Sequence, residues 1–423
     1  MGRYIDKGNR HFSIARNSTY VDKSGLIAVV NGTLFTEQCR SCVTRSRRFG
    51  KSMAANMLCA YYDRSCDSRS LFADLEIARD PSFEKYLNKF PVIKLDVTDF
   101  TTRYKDCPNI VDLIQKELKA DVREAYPGIV PDDFDDDFMS MLFRIHQATG
   151  DTFVMVIDEW DAICREFDPK SKVMDSFVNW LRRMFKGSNS LKVFAGVYMT
   201  GILPIKKYNT ESALNNFEEY SMVEPGDIAT YLGFTKEEVE KLCRDNGRDF
   251  EEMRKWYDGY IIGNATAMFN PNSVMTSIRR KKCGSYWAST GAYDKVATYM
   301  EMNYEGLKDD VISMLAGESC SVEVTKFSND IHDIRCKDDV LTVLVHLGYL
   351  AYNPETRRCF VPNFEVRQEL RNAVEDCSWR IAEVIGNSSD LLNATLAGDI
   401  HLVGINYDKK AKVHSCTIES VSK

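Results

Sequence analysis

The run Thr152–Ile157 (TFVMVI) is apolar from its second residue on and leads straight into Asp158-Glu159. A continuous apolar run of this length reads as a strand buried on both faces, the kind found in parallel sheets covered by helices. The surrounding sequence supplies matching pieces. Ser41–Thr44, Pro91–Val97 (PVIKLDV) and Leu191–Met199 (LKVFAGVYM) read as strands. Lys51–Tyr62, Asn109–Tyr126, Asp137–Thr149 and Lys172–Phe185 carry apolar residues at helical spacing. Strands alternating with helices predict an α/β fold with a parallel sheet.

The second half changes character. Pro225–Tyr257 reads as helices with start signals at Thr235, before Glu237-Glu238, and at Asp249, before Glu251-Glu252. From Asp338 the order is helix, strand (AYN), turn (PETRR), strand (CFVPN), helix, which is the ending of a winged-helix unit. Boundaries are expected near 225, 300 and 373.

The chain has 423 residues, 55 Lys+Arg and 62 Asp+Glu, for a formal net charge of −7. A mildly acidic chain does not hold nucleic acid or anionic membrane by bulk charge, so any such site must be local. Hydrophobic residues at 44% exclude collagen-like and wholly disordered classes. No apolar run approaches the roughly 18 residues of a membrane span. The first residues, Met1–Asp6, lack the apolar stretch of a signal peptide. With thirteen cysteines, that predicts reduced thiols and a cytoplasmic location. Cys39-Arg40-Ser41-Cys42 is a lone CxxC, and a zinc site needs a second pair. The acidic cluster Asp132, Asp133, Asp135, Asp136, Asp137 lacks the Gly and final Glu of a calcium loop and reads as a solvated helix start or loop.

Gly50-Lys51-Ser52 is the end of a phosphate-binding loop, G-x-x-x-x-G-K-[ST]. The chemistry explains the residue types. Gly lets backbone N–H groups approach phosphate oxygens, Lys adds a point charge, Ser can ligate Mg2+, and the next helix offers its N-terminus. The first Gly of the motif is absent, and Arg45 stands there. By itself G-K-[ST] is weak, with about 0.2 chance copies expected in a chain of this length at average composition. Its setting strengthens it: a strand before, a helix after, and Arg45, Arg47 and Arg48 crowding the loop as anion ligands. About a hundred residues on, Asp158-Glu159 ends the buried strand, where open α/β sheets bind ligands. Asp158 can hold magnesium and Glu159 can deprotonate or orient an attacking water. Thr200, at the end of the following strand, is placed to sense a γ-phosphate, or simply caps that strand.

These segments resemble the bacterial AAA-ATPase-like proteins, which typically carry a PD-(D/E)XK-type nuclease domain at their C-terminus. The matching pieces are Tyr20-Val21-Asp22-Lys23-Ser24, Arg45–Ser52 (RSRRFGKS), Ile157–Asp161 (IDEWD), Tyr198–Lys207 (YMTGILPIKK), Ser212–Phe217 (SALNNF), Trp256–Tyr260 (WYDGY), Asn270–Ser273 (NPNS) and Tyr286-Trp287. The family's loop also lacks the first Gly and usually reads R-P-R-R-F-G-K-S. Ser46 replaces the Pro here, which should loosen the loop.

The resemblance implies a P-loop core over 1–225, a helical lid over 226–300 and a winged-helix-like segment over 301–373. It implies that Arg47, Gly50, Lys51 and Ser52 hold the ATP phosphates and that Ser52 and Asp158 hold Mg2+. Glu159 is then the catalytic base, Arg48 is the candidate phosphate ligand beside it, and Thr200 is the candidate γ-phosphate sensor. Tyr20–Lys23 is left open between a cover for adenine and a structural helix start. Trp256–Tyr260 reads as a packing corner. Residues 374–423 are expected to be a linker or remnant before an absent nuclease. Glu117-Leu118-Lys119 fits a nuclease E-x-K but lies mid-helix, and Glu419–Lys423 has the wrong spacing.

The function expected is therefore an ATP-dependent switch with slow hydrolysis. The alternatives are a scaffold that binds nucleotide without turnover, and a DNA-binding module using Arg279-Arg280-Lys281-Lys282 or the arginines of the winged-helix-like segment. A second copy or another protein as partner is left open.

Overall fold

The computed structural model describes residues 2–375, except 132, 134, 135, 206, 209, 210, 213, 264, 288–297, 301 and 303, together with 403–408 and 413–418. Asp132 and Asp135 of the acidic cluster, Lys206 and Ala213 of the family pieces, and residues 376–402, 409–412 and 419–423 of the expected linker or remnant lie outside them.

Strands β1 (Arg40–Thr44), β2 (Val92–Asp96), β3 (Phe153–Asp158), β4 (Phe194–Gly201) and β5 (Glu218–Tyr220) form one sheet in the order β2-β3-β4-β1-β5. Every neighbouring pair is parallel. This is the α/β architecture the alternating pattern predicts. The side-chain period of two explains why β3 is apolar throughout. Val154 and Val156 join the cluster formed with α1 (Arg10–Arg16), α2 (Gly25–Thr33) and α3 (Lys51–Tyr62). Phe153, Met155 and Ile157 join the opposite cluster, with α4 (Val97–Arg103), α5 (Ile110–Ala125), α6 (Phe138–Thr149), α7 (Ala162–Glu166) and α8 (Val173–Phe185).

Local chemistry sets the element ends. Asp137 is the N-cap of α6 and accepts the Ser140 N–H at 2.8 Å, which explains one member of the acidic cluster. Strand β2 stops at Asp96, whose carboxylate caps α4 by accepting the Thr98 N–H at 3.0 Å. The apolar run predicts a strand from Leu191. In the structure Ser190–Val193 is a helical turn, with the Val193 N–H donating to the Asn189 carbonyl at 3.1 Å, and the strand begins at Phe194. Ser190 is buried there because its hydroxyl accepts from Arg40 of β1, a partner 150 residues away.

Beyond the sheet, β6 (Phe234–Thr235), β7 (Tyr260–Ile262) and β8 (Ala265–Phe269) form an antiparallel sheet in the order β6-β8-β7. Helices α9 (Lys236–Asn246), α10 (Phe250–Tyr257) and α11 (Pro271–Arg280) accompany it. Thr235 closes a capping box with Glu238, and Asp249 accepts two N–H groups of α10. Thr235→Ala leaves the Glu238 N–H without its cap and is expected to destabilise the protein by about 1 kcal/mol. A shift in the urea midpoint at unchanged slope would measure it; no shift would mean that water replaces the cap.

Next come α12 (Leu307–Leu315), β9 (Cys320–Ser321), α13 (Lys337–Leu347), β10 (Ala351–Asn353), β11 (Arg358–Phe360) and α14 (Phe364–Glu375). The three strands pair antiparallel in the order β9-β11-β10. Residues 403–408 and 413–418, within the stretch read as a linker, pair as an antiparallel hairpin. Among the described residues no helix is long and apolar enough to cross a membrane.

The later elements pack against the first sheet's loops rather than standing apart. Phe49 and Leu203 share an apolar cluster with Leu307, Leu341, Leu350 and Leu370. Phe49 meets Tyr260 edge to face at 5.1 Å, and the Tyr260 hydroxyl donates to the Gly348 carbonyl at 2.8 Å.

Candidate functional site at the carboxyl edge of the sheet

Parallel strands bring their C-terminal ends to one edge. Here that edge carries Thr44 of β1, Asp96 of β2, Asp158 of β3 and Thr200-Gly201 of β4. Asp96 and Asp158 are direct partners across the β2–β3 pair.

The loop after β1 turns into α3 at Gly50, which caps the helix at φ +91°. A Cβ there would meet nothing within 4 Å, so the glycine is needed for its backbone angle rather than for space. Lys51 opens α3 and is buried. Its ammonium donates to the Arg45 and Ser46 carbonyls at 3.0 and 3.1 Å and lies 3.9 Å from Glu159 Oε1. Burial lowers the Lys51 pKa, while Glu159, Asp161 and Asp158 oppose the shift by attraction.

Glu159 stands at φ +52°, an uncommon angle for a residue with a Cβ. Burial raises its carboxyl pKa, and Lys51 and Arg165 pull it back. Its N–H donates to the Thr200 hydroxyl at 3.4 Å, and that hydroxyl donates to Asp158 Oδ1. Thr200 therefore joins the ends of β3 and β4 directly.

Gly50, Lys51, Ser52, Arg47, Arg48, Glu159 and Asp96 line one open cavity of about 630 Å³. A second, more apolar cavity of about 210 Å³ adjoins it and shares Gly50, Met53 and Asn272. Tyr20, Val21, Met57, Tyr231 and Phe234 line this second space. In the same segment Lys23 pairs with Glu238 at 2.6 Å, and Asp22 accepts the Ser24 and Glu76 N–H groups. Tyr20, Val21 and Lys23 thus line a cavity, and the segment leads into α2.

One expectation is overturned. Arg45 does not face an anion. It is fully buried and donates to the Thr44, Tyr220 and Ser221 carbonyls at 2.9, 3.2 and 2.8 Å. Thr44 ends β1, Tyr220 ends β5 and Ser221 follows it, so the residue in place of the first motif glycine ties two strands together. Burial pushes its pKa down to about 10.

Arg47 and Arg48 do border the cavity. Arg48, at φ +66°, donates to the Tyr286 carbonyl. The Arg47 carbonyl accepts from Asn270 and from the Trp287 indole at 3.2 and 3.4 Å. Ser46 is fully buried and would touch any Cβ added at Gly348.

Sequence reasoning missed Arg165 and Asp96, which also line the cavity. The signals were present: Asp96 ends an apolar strand as Asp158 does, and Arg165 follows Asp161 by one helical turn. Cys39 and Cys42 are both buried, as core thiols are. Glu117 of the rejected E-x-K accepts from Tyr104 and pairs with Arg103, a structural role. In the basic run, Arg280 lies over the Tyr286 ring and Arg279 donates to Thr276, so two of its four cations serve internal contacts.

Residues 10–210 match the family model described as "Predicted AAA-ATPase", which covers just under half of the chain. No curated protein matches. Among solved structures, the ORC2 protein of Aeropyrum pernix in its ADPNP-ADP complexes is 11% identical at a TM-score of 0.36, covering 87% of this chain and 98% of that one. Its ADP form gives 11% and 0.33, with the same coverage. The ORC1 protein of the same organism, in complex with DNA, gives 10% and 0.28, covering 89% and 98%. At these scores the likeness carries no argument about this chain.

Proposed function

We propose that this protein binds ATP with Mg2+ at the carboxyl edge of the sheet and works as a nucleotide-dependent switch with slow hydrolysis. One observation carries the reading: the buried Lys51 at the start of α3 and Glu159, the residue after the Asp158 that ends β3, meet at one cavity, although about a hundred residues separate them. Gly50, Lys51 and the loop N–H groups hold the phosphates, with Arg47 and Arg48 at their flank. Ser52 and Asp158 hold Mg2+. Their oxygen donors suit a hard cation, and Mg2+ needs only one or two carboxylates when phosphates complete its shell. The metal would offset charge on the transferring phosphoryl group. Glu159 takes the proton of the attacking water, and Thr200 keeps Glu159 and Asp158 in register. The apolar cavity takes the base, with Tyr20 and Val21 along its wall.

Slow turnover fits the ion pairs that Glu159 already makes with Lys51 and Arg165. The division into a core over 1–225, a lid over 226–300, a winged-helix-like segment over 301–373 and a following stretch is part of the proposal. The switch runs through the loop: Arg47 and Arg48 bond to Trp287 and Tyr286, whose N–H groups both donate to Glu365 of α14. A change in the loop on binding nucleotide would reach α14 by this route.

Glu159→Gln separates hydrolysis from binding. It is expected to keep ATP affinity within about threefold while turnover falls about 100-fold or more, the usual size of a lost general base. Unchanged turnover would remove Glu159 from its role. Wild-type protein that binds ATP tightly with no turnover would favour the non-hydrolysing scaffold.

A further inference from the structure

Arg165 lies on α7, just after the Asp158-Glu159 strand end, and nine-tenths of its side chain is buried. Its guanidinium reaches two carboxylates at once. Nη2 pairs with Glu159 Oε2, and Nε pairs with Asp161 Oδ2 at 3.0 Å. Asp161 is fully buried and fixed in turn, because its Oδ2 also accepts the Leu203 N–H at 3.0 Å, just beyond β4. The backbone of α7 is held from another side, with the His332 ring 3.0 Å from the Cys164 carbonyl. The chain Leu203–Asp161–Arg165–Glu159 therefore runs from a fixed backbone point into the cavity.

We infer that Arg165 is the residue that positions Glu159 to take the proton of the water that attacks the phosphate, a role that rests on the ATPase reading above. Glu159 is ion-paired with Lys51 and Arg165. Once Lys51 is engaged by a phosphate, Arg165 still holds the carboxylate. A planar guanidinium suits the task, since its two edges can hold two carboxylates in fixed geometry, whereas an ammonium is a point charge on a flexible stem. A misplacement of about 1 Å at a reacting group can cost about 100-fold in rate.

The test is a double-mutant cycle on ATP turnover with Arg165→Ala and Glu159→Gln, with affinity read separately from a fluorescent ATP analogue. Arg165→Ala is expected to lower kcat by about 10- to 100-fold and to leave KM within about threefold. In the Glu159→Gln background the same change should have almost no effect, because the residue it positions is already disabled. Arg165→Lys, which keeps the charge and disturbs folding less, should recover part of the rate. Its melting temperature should stay near that of wild type. An equal loss of kcat in both backgrounds would overturn the proposal, since Arg165 would then act independently of Glu159. So would an unchanged kcat, or a raised KM at constant kcat. If the wild-type protein shows no turnover, or Glu159→Gln retains all of it, the ATPase reading fails and takes this one with it. If Glu159→Gln abolishes turnover while Arg165→Ala does not lower it, only the role of Arg165 falls.

Discussion

Lys51→Ala is expected to weaken ATP binding by about 100-fold, or about 2.7 kcal/mol, and to abolish turnover. The size follows from where the ammonium sits. It is buried at the base of the cavity, bonded to the Arg45 and Ser46 carbonyls and close to Glu159. In so enclosed a place a charge acts on phosphate with little screening by water. Its removal also leaves the charges of Glu159, Asp161 and Asp158 with less compensation, so part of the loss is repulsion rather than a missing contact. Isothermal titration with ATP and Mg2+ on wild type and variant measures this directly. Normal affinity in Lys51→Ala would sink the assignment of the site.

The largest stability effect is expected far from that cavity, at Gly259→Ala. Gly259 sits at φ +106°, and a Cβ there would lie 1.9 Å from the Pro362 carbonyl oxygen and 2.7 Å from its carbon. Those are backbone atoms and cannot rotate aside as a side-chain tip would. The junction is fastened on both sides. The Asn363 amide donates to the Asp258 carbonyl at 2.9 Å, and Trp256 packs edge to face on Phe364 at 4.8 Å. An added methyl must push α14 away from the Trp256–Tyr260 corner or strain the turn. Either way the cost should exceed about 3 kcal/mol, in the range reserved for strain and overpacking. A drop of about 5 °C or more in the melting temperature is the expected reading. A drop of a degree or less would mean that this corner is far softer than its contacts imply.

The two variants probe features that were legible to different degrees. Helix Lys51–Tyr62 was readable to the residue, because Met53, Met57, Leu58 and Tyr61 keep helical spacing and Gly50 marks the start. Strand β3 was equally plain, since a strand buried on both faces leaves an unbroken apolar run. The caps at Thr235 and Asp249 were written in their neighbouring glutamates. The start of β4 was not. Leu191 and Val193 look like strand residues, and only the burial of Ser190 against Arg40 shows why a helical turn precedes it.

Arg45 is the clearest case of local sequence misleading. Three arginines within four positions read as one basic loop aimed at an anion. Two of them border the cavity, while the first is buried against carbonyls some 175 residues away in the chain. Charge in a sequence says nothing of direction, because a guanidinium can be satisfied by buried carbonyls as well as by phosphate.

The sequence alone determined the parallel α/β core and the pair of motifs at its carboxyl edge. Both follow from short-range rules, namely side-chain period, the angle a glycine permits, and the residue types a phosphate and a metal require. Only the tertiary structure decided which charges meet. Lys51 against Glu159, Arg165 between Glu159 and Asp161, Arg45 against Ser221, and Trp287 against Arg47 all join positions with no shared local pattern. Strand order places these groups at one edge, and burial there removes water as their alternative partner.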